Sequence, residues 1–190
     1  MTLLILGLVL FFGIHSIFIV APALRDRLEA TMGKGWRGIY TVISLAGFVL
    51  LVIGYGQARQ SPVVLYMPPQ WMRHVMMTLM LPVFPLVLAS ALPAGHIKVK
   101  LKHPLLAATK TWALAHLLVN GMLADVLLFG SFLAWAVVDR ISLKRREKLK
   151  PKPVPIPSVK YDVIAVVGGL ALFVLTYGWL HRWLAGVPLR

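Results

Sequence analysis

Long apolar stretches alternate with short polar connectors along the whole of the 190-residue chain. Each stretch is close to the roughly 20 residues that a helix needs to cross the hydrocarbon core of a bilayer. The pattern therefore predicts an all-α integral membrane protein, with one transmembrane domain that covers 1–190 and forms a bundle of about six transmembrane helices. The predicted spans are 2–24, 38–58, 71–92, 104–119, 121–141 and 162–184.

The first apolar stretch starts directly after Met1 and lacks the basic segment that opens a secretory signal peptide. It is also about as long as the hydrocarbon core requires, whereas the apolar part of a signal peptide is shorter. We therefore expect this stretch to be retained as the first transmembrane helix.

Polar and helix-disrupting residues modify the pattern at two places. Thr109, Lys110 and Thr111 interrupt the fourth stretch, and a lysine near the middle of a transmembrane helix costs about 2.5–3.5 kcal/mol to insert. This cost predicts a short helix that faces protein or a polar cavity rather than lipid. Pro82 and Pro85 predict a kink in the third span.

Basic residues in the connectors account for most of the formal net charge of +14. Fifteen of the 20 Lys and Arg residues lie in the connectors 25–37, 94–103 and 140–160, and four lie in the segments on the opposite side of the spans. Cytoplasmic connectors carry the excess of Lys and Arg, so the distribution predicts that both termini are outside the cytoplasm (N-out/C-out). The predicted partner of these charges is the lipid bilayer, since they do not follow a helix face as in a nucleic-acid-binding protein.

The longest connector combines a run of Lys and Arg with proline at every second position from Pro151 to Pro157. Alternating prolines favour an extended, polyproline-like conformation. We therefore expect residues 144–160 to form an extended cytoplasmic tether whose charges contact anionic lipid, while any further role of this connector stays open.

Six histidines and six carboxylates make up nearly all of the acid–base groups, and cysteine is absent from the sequence. The lack of cysteine excludes disulfides, thiolate nucleophiles and sulfur-rich metal sites. The sequence also contains no GxSxG, HExxH or GxxxxGK[ST] motif, so hydrolase and nucleotide-binding functions have no motif support. The histidines are consequently the main candidates for any chemistry.

His15 lies deep in the first span, with Phe11, Phe12 and Phe18 three or four residues away on its helical face. An unsatisfied polar group in an apolar environment costs roughly 2–7 kcal/mol, so this imidazole requires a partner. Two interpretations stay open. The ring either makes an interhelical hydrogen bond that holds the bundle together, or it binds a metal or haem as an axial ligand.

His116 lies in the fourth span, four residues after Trp112 and four residues before Asn120. This spacing puts an aromatic ring, an imidazole and an amide on one helical face, which is typical of a cofactor ligand with supporting groups. The alternative is an ordinary histidine at the membrane interface. Asp125 follows, and we expect it to pair with His116 or Lys110 or to lie at the outer interface.

Three further histidines are secondary candidates for metal ligation. His103 precedes a proline at the start of the fourth span, and His74 and His181 lie beside tryptophans near the outer interface. A depth estimate from the span centres groups His74 and His181 as a rival pair of ligands. His96 lies in a basic connector, where we expect it to be solvated.

In chain order these motifs resemble the NnrU family of bacterial membrane proteins, which is related to the plant and cyanobacterial 15-cis-zeta-carotene isomerase. The matching segments are GIHS in the first span, GWRGIYTVISLAGFVLLVIGY in the second, KHPLLAATKTWALAHLLVNG in the fourth, WAVVDR followed by KRREK at the end of the fifth, and LHRWLAGV in the last. The resemblance therefore covers nearly the whole chain.

The resemblance implies a multi-pass protein of the bacterial inner membrane that binds haem b through two histidines. The histidine of GIHS is His15 and that of ALAHLLVNG is His116, with Trp112 and Asn120 as supporting groups. The isomerase relatives use the haem for redox-gated cis–trans isomerisation of a polyene, and NnrU members are associated with denitrification and nitric oxide metabolism. The isomerase group has a cysteine where this chain has Ala113, so a mechanism that uses that thiolate is not available here.

Two further hypotheses stay open. The first is a non-enzymatic accessory protein for assembly of a nitric oxide or nitrite reductase complex, whose histidines only hold the bundle together. The second is a membrane methyltransferase, because the KHP motif resembles the RHP element of enzymes that use S-adenosylmethionine. Those enzymes carry acidic residues near the end of the domain, and the corresponding segment HRWLAGVPLR has none.

Overall fold

The computed structural model describes residues 1–151 and 153–182, in which nearly all of the regular secondary structure is helical. Five helical segments in this part of the chain are long and apolar enough to cross a membrane. They are Thr2–Val20, Lys34–Ala58, Met72–Ala91, Leu123–Leu149 and Val159–Leu180. The predicted all-α membrane fold is therefore confirmed, and the chain is a multi-pass membrane protein.

Nine α-helices are described, followed by one π-helical segment, Thr176–Leu180. The α-helices are α1 (Thr2–Val20), α2 (Pro22–Met32), α3 (Lys34–Ala58), α4 (Met72–Met80), α5 (Val83–Ala91), α6 (His96–Leu101), α7 (Pro104–Leu117), α8 (Leu123–Leu149) and α9 (Val159–Leu175). They divide into two compact units. The first unit comprises 1–65 and 122–131, and the second comprises 66–121 and the described residues from 132 onward.

The fourth predicted span is the short helix α7, which has 14 residues. At about 1.5 Å per residue it is roughly 21 Å long, less than the hydrocarbon core of a typical bilayer. Pro104 occupies its first turn, where the missing N–H costs nothing. The prediction of a short helix is confirmed, whereas a sixth crossing of the membrane stays a prediction.

The third span is divided into α4 and α5 at Leu81 and Pro82. Proline has no backbone N–H and its ring clashes with the preceding turn, so a continuous helix cannot pass through this point undisturbed. The third span is thus interrupted at Pro82, one of the two prolines for which the sequence predicts a kink.

Helix α8 continues past its predicted end at 141 and includes the basic segment KRREK. Lys, Arg and Glu have low hydropathy but high helix propensity, so a hydropathy boundary does not mark the end of the helix. Pro151 disfavours helical geometry in the residue before it, and the helix ends just ahead of it at Leu149. The extended connector is therefore shorter than the predicted 144–160, and Lys152 within it lies outside the described residues.

In the first unit, glycines bring α1 and α3 into backbone contact. A methyl group at Gly47 would lie 2.7 Å from the backbone nitrogen of Phe11, and one at Gly54 would overlap the backbone of Leu4. Because the later residue of α1 faces the earlier residue of α3, the two helices are antiparallel. Small residues allow this close approach, as is common between transmembrane helices.

In the second unit, α5 packs against both α7 and α9. Gly169 of α9 lies against the backbone of Pro85, and no larger residue fits there without a shift. Asp162, in the first turn of α9, accepts hydrogen bonds from the backbone N–H groups of His96 (2.8 Å) and Ile97 (3.0 Å) and so caps α6. The ring Nδ1 of His96 also lies 2.9 Å from this carboxylate, so His96 is exposed as expected but is not merely solvated.

Candidate functional site

His15 has a defined ring orientation in the first unit. Its Nδ1 lies 2.6 Å from the backbone carbonyl oxygen of Phe11, one helical turn earlier. A carbonyl oxygen only accepts hydrogen bonds, so Nδ1 carries the proton and donates it. In the neutral ring the lone pair is then on Nε2, which is the arrangement found in histidines that bind metals.

Aromatic rings surround His15. Its ring is stacked on that of Phe11, with centroids 4.2 Å apart, and the ring of Tyr40 from α3 lies 5.2 Å away. The antiparallel contact of α1 with α3 brings Tyr40 to this position. Phe18, also expected on this face, contacts the guanidinium of Arg25 at 5.2 Å. Phe11 of the predicted aromatic face is thus in contact with His15, and α3 contributes Tyr40.

His116 repeats the local arrangement of His15 in the second unit. Its Nδ1 lies 2.8 Å from the carbonyl oxygen of Trp112, one turn earlier in α7. The same argument assigns the proton to Nδ1 and the lone pair of the neutral ring to Nε2. The Trp112 ring is 5.1 Å from the His116 ring and meets the edge of Phe132 at 5.4 Å. Trp112 and His116 thus lie on one face of α7, as their spacing predicts, and the supporting role of Trp112 stays a prediction.

Asn120 supports the helix that carries His116 rather than its ring. Its side-chain Nδ2 donates to the backbone carbonyl oxygen of His116 at 2.9 Å. The backbone carbonyl oxygen of Asn120 accepts from the hydroxyl of Tyr66 at 2.8 Å. The same hydroxyl contacts the carbonyl oxygen of Leu117. Tyr66 thereby satisfies the backbone carbonyl groups of Leu117 and Asn120 at the end of α7. The carbonyl of His116 also accepts from the backbone N–H groups of Val119 and Asn120. Asn120 therefore fixes the position of the last turn of α7.

The ring of His181 lies beside that of His116, with centroids 6.5 Å apart and planes at 21°. His181 follows the π-helical segment at the end of α9. The depth estimate pairs His181 with His74, which is exposed on α4. The structure thus brings His181 to His116, and sequence spacing gives no signal of this contact.

His103 belongs to a charged cluster. Its Nε2 contacts a carboxylate oxygen of Glu147, and the same carboxylate lies 3.4 Å from Nζ of Lys102 and 3.8 Å from a guanidinium nitrogen of Arg140. Sequence reasoning missed Glu147 because 44 positions separate it from His103. In this cluster the carboxylate of Glu147 is shared among His103, Lys102 and Arg140.

Asp125 is buried, with 3 % of its surface exposed. One carboxylate oxygen accepts a hydrogen bond from the hydroxyl of Tyr55 at 2.6 Å, and the other accepts from the backbone N–H of Met122 at 3.0 Å. Tyr55, which is 70 positions away, was not foreseen as a partner. Asp125 is therefore buried and held by Tyr55 and the start of α8.

The chemistry of these histidines is compatible with haem ligation. In 1–151 and 153–182, no group of three or more His, Asp or Glu side chains is placed to hold a metal ion. A haem iron takes only one or two ligands from the protein, and its macrocycle requires flat, apolar surroundings. Imidazoles with fixed tautomers beside aromatic rings meet both requirements.

Comparison with known proteins identifies one family. The family model described as NnrU protein matches residues 3–189. No curated protein sequence matches the chain, and no solved structure does.

Proposed function

The chain belongs to the NnrU family, and on that basis we propose that it binds haem b within the bacterial inner membrane, with His116 as one iron ligand. The resemblance implies His15 as the other ligand. The proposal links the bound haem to denitrification and nitric oxide metabolism or to isomerisation of a hydrophobic polyene. A reductase complex is the partner implied by the first of these roles.

The tautomer of the two histidines is the observation that carries the proposal. In both His15 and His116, Nδ1 donates to the carbonyl oxygen four residues earlier. This bond leaves the lone pair on Nε2, fixes the plane of the ring and raises its basicity as a ligand. Two histidines in different helices therefore share the feature that an axial haem ligand requires.

Their surroundings also support the proposal. Phe11 and Tyr40 contact His15, and Trp112 contacts His116. Aromatic rings offer flat apolar surfaces to a macrocycle and add little conformational entropy cost on binding. When bound, haem b would supply a one-electron redox centre and an iron that binds small ligands or a double bond. The protein would contribute the ligands, their orientation and a site that excludes water.

An absorption spectrum of the detergent-purified protein, oxidised and then reduced with dithionite, tests the proposal. We expect a Soret band with sharp reduced α and β bands in the wild type and loss of these bands in His116→Ala. The control variant is His96→Ala, because His96 is exposed and lies outside α7, at the start of α6. The spectrum of this variant should match that of the wild type. A colourless but folded wild-type protein after haem-replete expression would refute haem binding and favour the accessory role.

A further inference from the structure

Two permanent cations share one carboxylate where the start of α7 meets the end of α8. Nζ of Lys102 lies 3.4 Å from the carboxylate of Glu147 and Nη1 of Arg140 lies 3.8 Å from it, while Nε2 of His103 contacts the same carboxylate. We call these four residues of the second unit the basic cluster. Its two permanent positive charges exceed its one negative charge, so the basic cluster is positive even when His103 is neutral. This excess charge attracts an anion from outside the cluster.

Arg140 has the fewest polar contacts in the basic cluster. A distance of 3.8 Å from Glu147 is longer than a hydrogen bond, and the buried Nη1 has no hydrogen-bond partner in the part of the chain that the structure describes. The preceding carboxylate, Asp139, lies 3.7 Å from a different cation, Arg146. The side chain of Arg140 is 29 % exposed, so a group from outside the protein can reach it. A guanidinium carries five N–H donors in a planar fork that fits two oxygens of a phosphate.

The backbone of Lys102 has a conformation that favours glycine. Its φ is 62° and its ψ is −47°, at the C-terminal cap of α6. A positive φ is strained for a residue with a side chain, and such strain is concentrated at functional sites. Glycine would adopt this φ with less strain, so backbone preference does not explain a lysine at this position. The strained residue contributes an exposed ammonium group to the basic cluster.

The residues beside the basic cluster include exposed apolar side chains. They are Leu105 in the first turn of α7 and Val137 and Ile141 on α8. Val137 lies three residues before Arg140 and is therefore its neighbour on the helix surface. The apolar part of α8 ends at Val138, which puts Arg140 near the level at which acyl chains meet lipid headgroups. A phosphate that carries acyl chains contacts both the cations and these apolar side chains, whereas a free phosphate contacts the cations alone.

We propose that the basic cluster binds the headgroup phosphate of an anionic phospholipid. Arg140 and Lys102 donate hydrogen bonds to the phosphate oxygens, and Glu147 holds both cations in position. The exposed apolar side chains beside them contact the acyl chains. The topology predicted from the basic connectors puts this end of α8 at the cytoplasmic leaflet, where anionic lipids attract cations near the surface. The proposal does not depend on haem binding, because no residue of the basic cluster belongs to the proposed haem site.

Thermal unfolding of the full-length protein in detergent tests the proposal with three additives at equal ionic strength. These are short-chain phosphatidylglycerol, short-chain phosphatidylcholine and inorganic phosphate. A lipid that binds only the folded state raises the unfolding midpoint by roughly 5–11 °C at a hundredfold excess over its dissociation constant, for a chain of this length. We expect this shift with phosphatidylglycerol, no shift with phosphatidylcholine, and at least tenfold weaker binding of inorganic phosphate.

Three variants locate the binding site. Arg140→Gln should weaken the binding of phosphatidylglycerol at least tenfold. Arg145→Gln is the matched control, because it removes the same charge from an exposed position on the same helix, and it should bind as the wild type does. Lys102→Gly removes the ammonium group and relieves the positive φ. Its midpoint without lipid should stay close to that of the wild type, whereas its affinity for phosphatidylglycerol should fall at least tenfold.

Other results would overturn the proposal. Equal losses of affinity in Arg140→Gln and Arg145→Gln would show that net charge, and not the basic cluster, attracts the lipid. Equal shifts with the two lipids would exclude recognition of an anionic headgroup, and equal affinities for phosphatidylglycerol and inorganic phosphate would indicate a site for free phosphate. If Arg140→Gln does not accumulate, Lys102→Gly decides alone, and an unchanged lipid affinity in that variant would refute the site.

Discussion

Replacement of Gly47 by alanine should destabilise the protein through a backbone clash between α1 and α3. The added methyl group would lie 2.7 Å from the backbone nitrogen of Phe11 and 3.0 Å from its Cα, whereas ordinary contact begins at 3.4 Å. The helices must therefore separate locally by about 0.7 Å to restore ordinary contact, and overpacking of this kind typically costs about 1–3 kcal/mol. Phe11 also holds the ring of His15, so the clash acts directly on that histidine.

Gly56 provides a matched control on the same helix. A methyl group there meets no atom within 4 Å. Both substitutions gain the same helix propensity, about 0.8–1.0 kcal/mol, so the difference between the two variants reports the clash alone. For a chain of this length, a difference of about 1–3 kcal/mol corresponds to roughly 2–12 °C in the midpoint of thermal unfolding.

Thermal unfolding of the two variants in detergent, followed by circular dichroism, measures this difference. We expect Gly56→Ala to unfold at or above the wild-type midpoint and Gly47→Ala to unfold below it. Equal midpoints for the two variants would show that α1 and α3 do not make the backbone contact described here.

Substitutions at two other contacts should lower the free energy of unfolding by different amounts. Tyr55→Phe removes the hydroxyl that donates to the buried Asp125, so the free energy of unfolding should fall by about 1.5–3 kcal/mol. In a double-mutant cycle with Asp125→Ala, which removes the acceptor, purely additive effects would contradict the pairing. Glu147→Gln should lower the free energy of unfolding by less than about 1 kcal/mol, because the cluster around Glu147 is partly exposed. That effect should shrink further at high salt, and a loss of several kcal/mol in chemical denaturation would show that the cluster is more strongly coupled than its exposure indicates.

Much of the fold follows from local sequence. Apolar length is a property of each segment by itself, and five of the six predicted spans are long apolar helices. The break at Pro82 and the short α7 also follow from residues within the element concerned. The end of α8 does not follow from hydropathy. Basic residues lower the hydropathy of a segment, but they do not end a helix.

The candidate site was predictable only where one helix holds all of the partners. The face of Trp112, His116 and Asn120 follows from helical spacing, and the contacts among these residues are present. The spacing did not reveal that Asn120 donates to a backbone carbonyl rather than to the ring.

The sequence pattern does not indicate contacts between residues that are far apart in the sequence. The pair of Tyr55 and Asp125 and the pair of His103 and Glu147 each join residues at least 44 positions apart. His181 adds a second difficulty, since a π-helical segment changes the register of the residues after it. Hydrophobic periodicity assumes a regular helix and therefore could not place this ring.

We propose that this NnrU-family protein holds haem in the membrane through His116. The most direct measurement is the haem content per chain of the purified, folded protein, obtained by the pyridine haemochrome assay in wild type and in His116→Ala. We predict one haem b per wild-type chain and a haem content near zero in His116→Ala. A folded wild-type protein without haem, or an unchanged haem content in the folded variant, would contradict the claim.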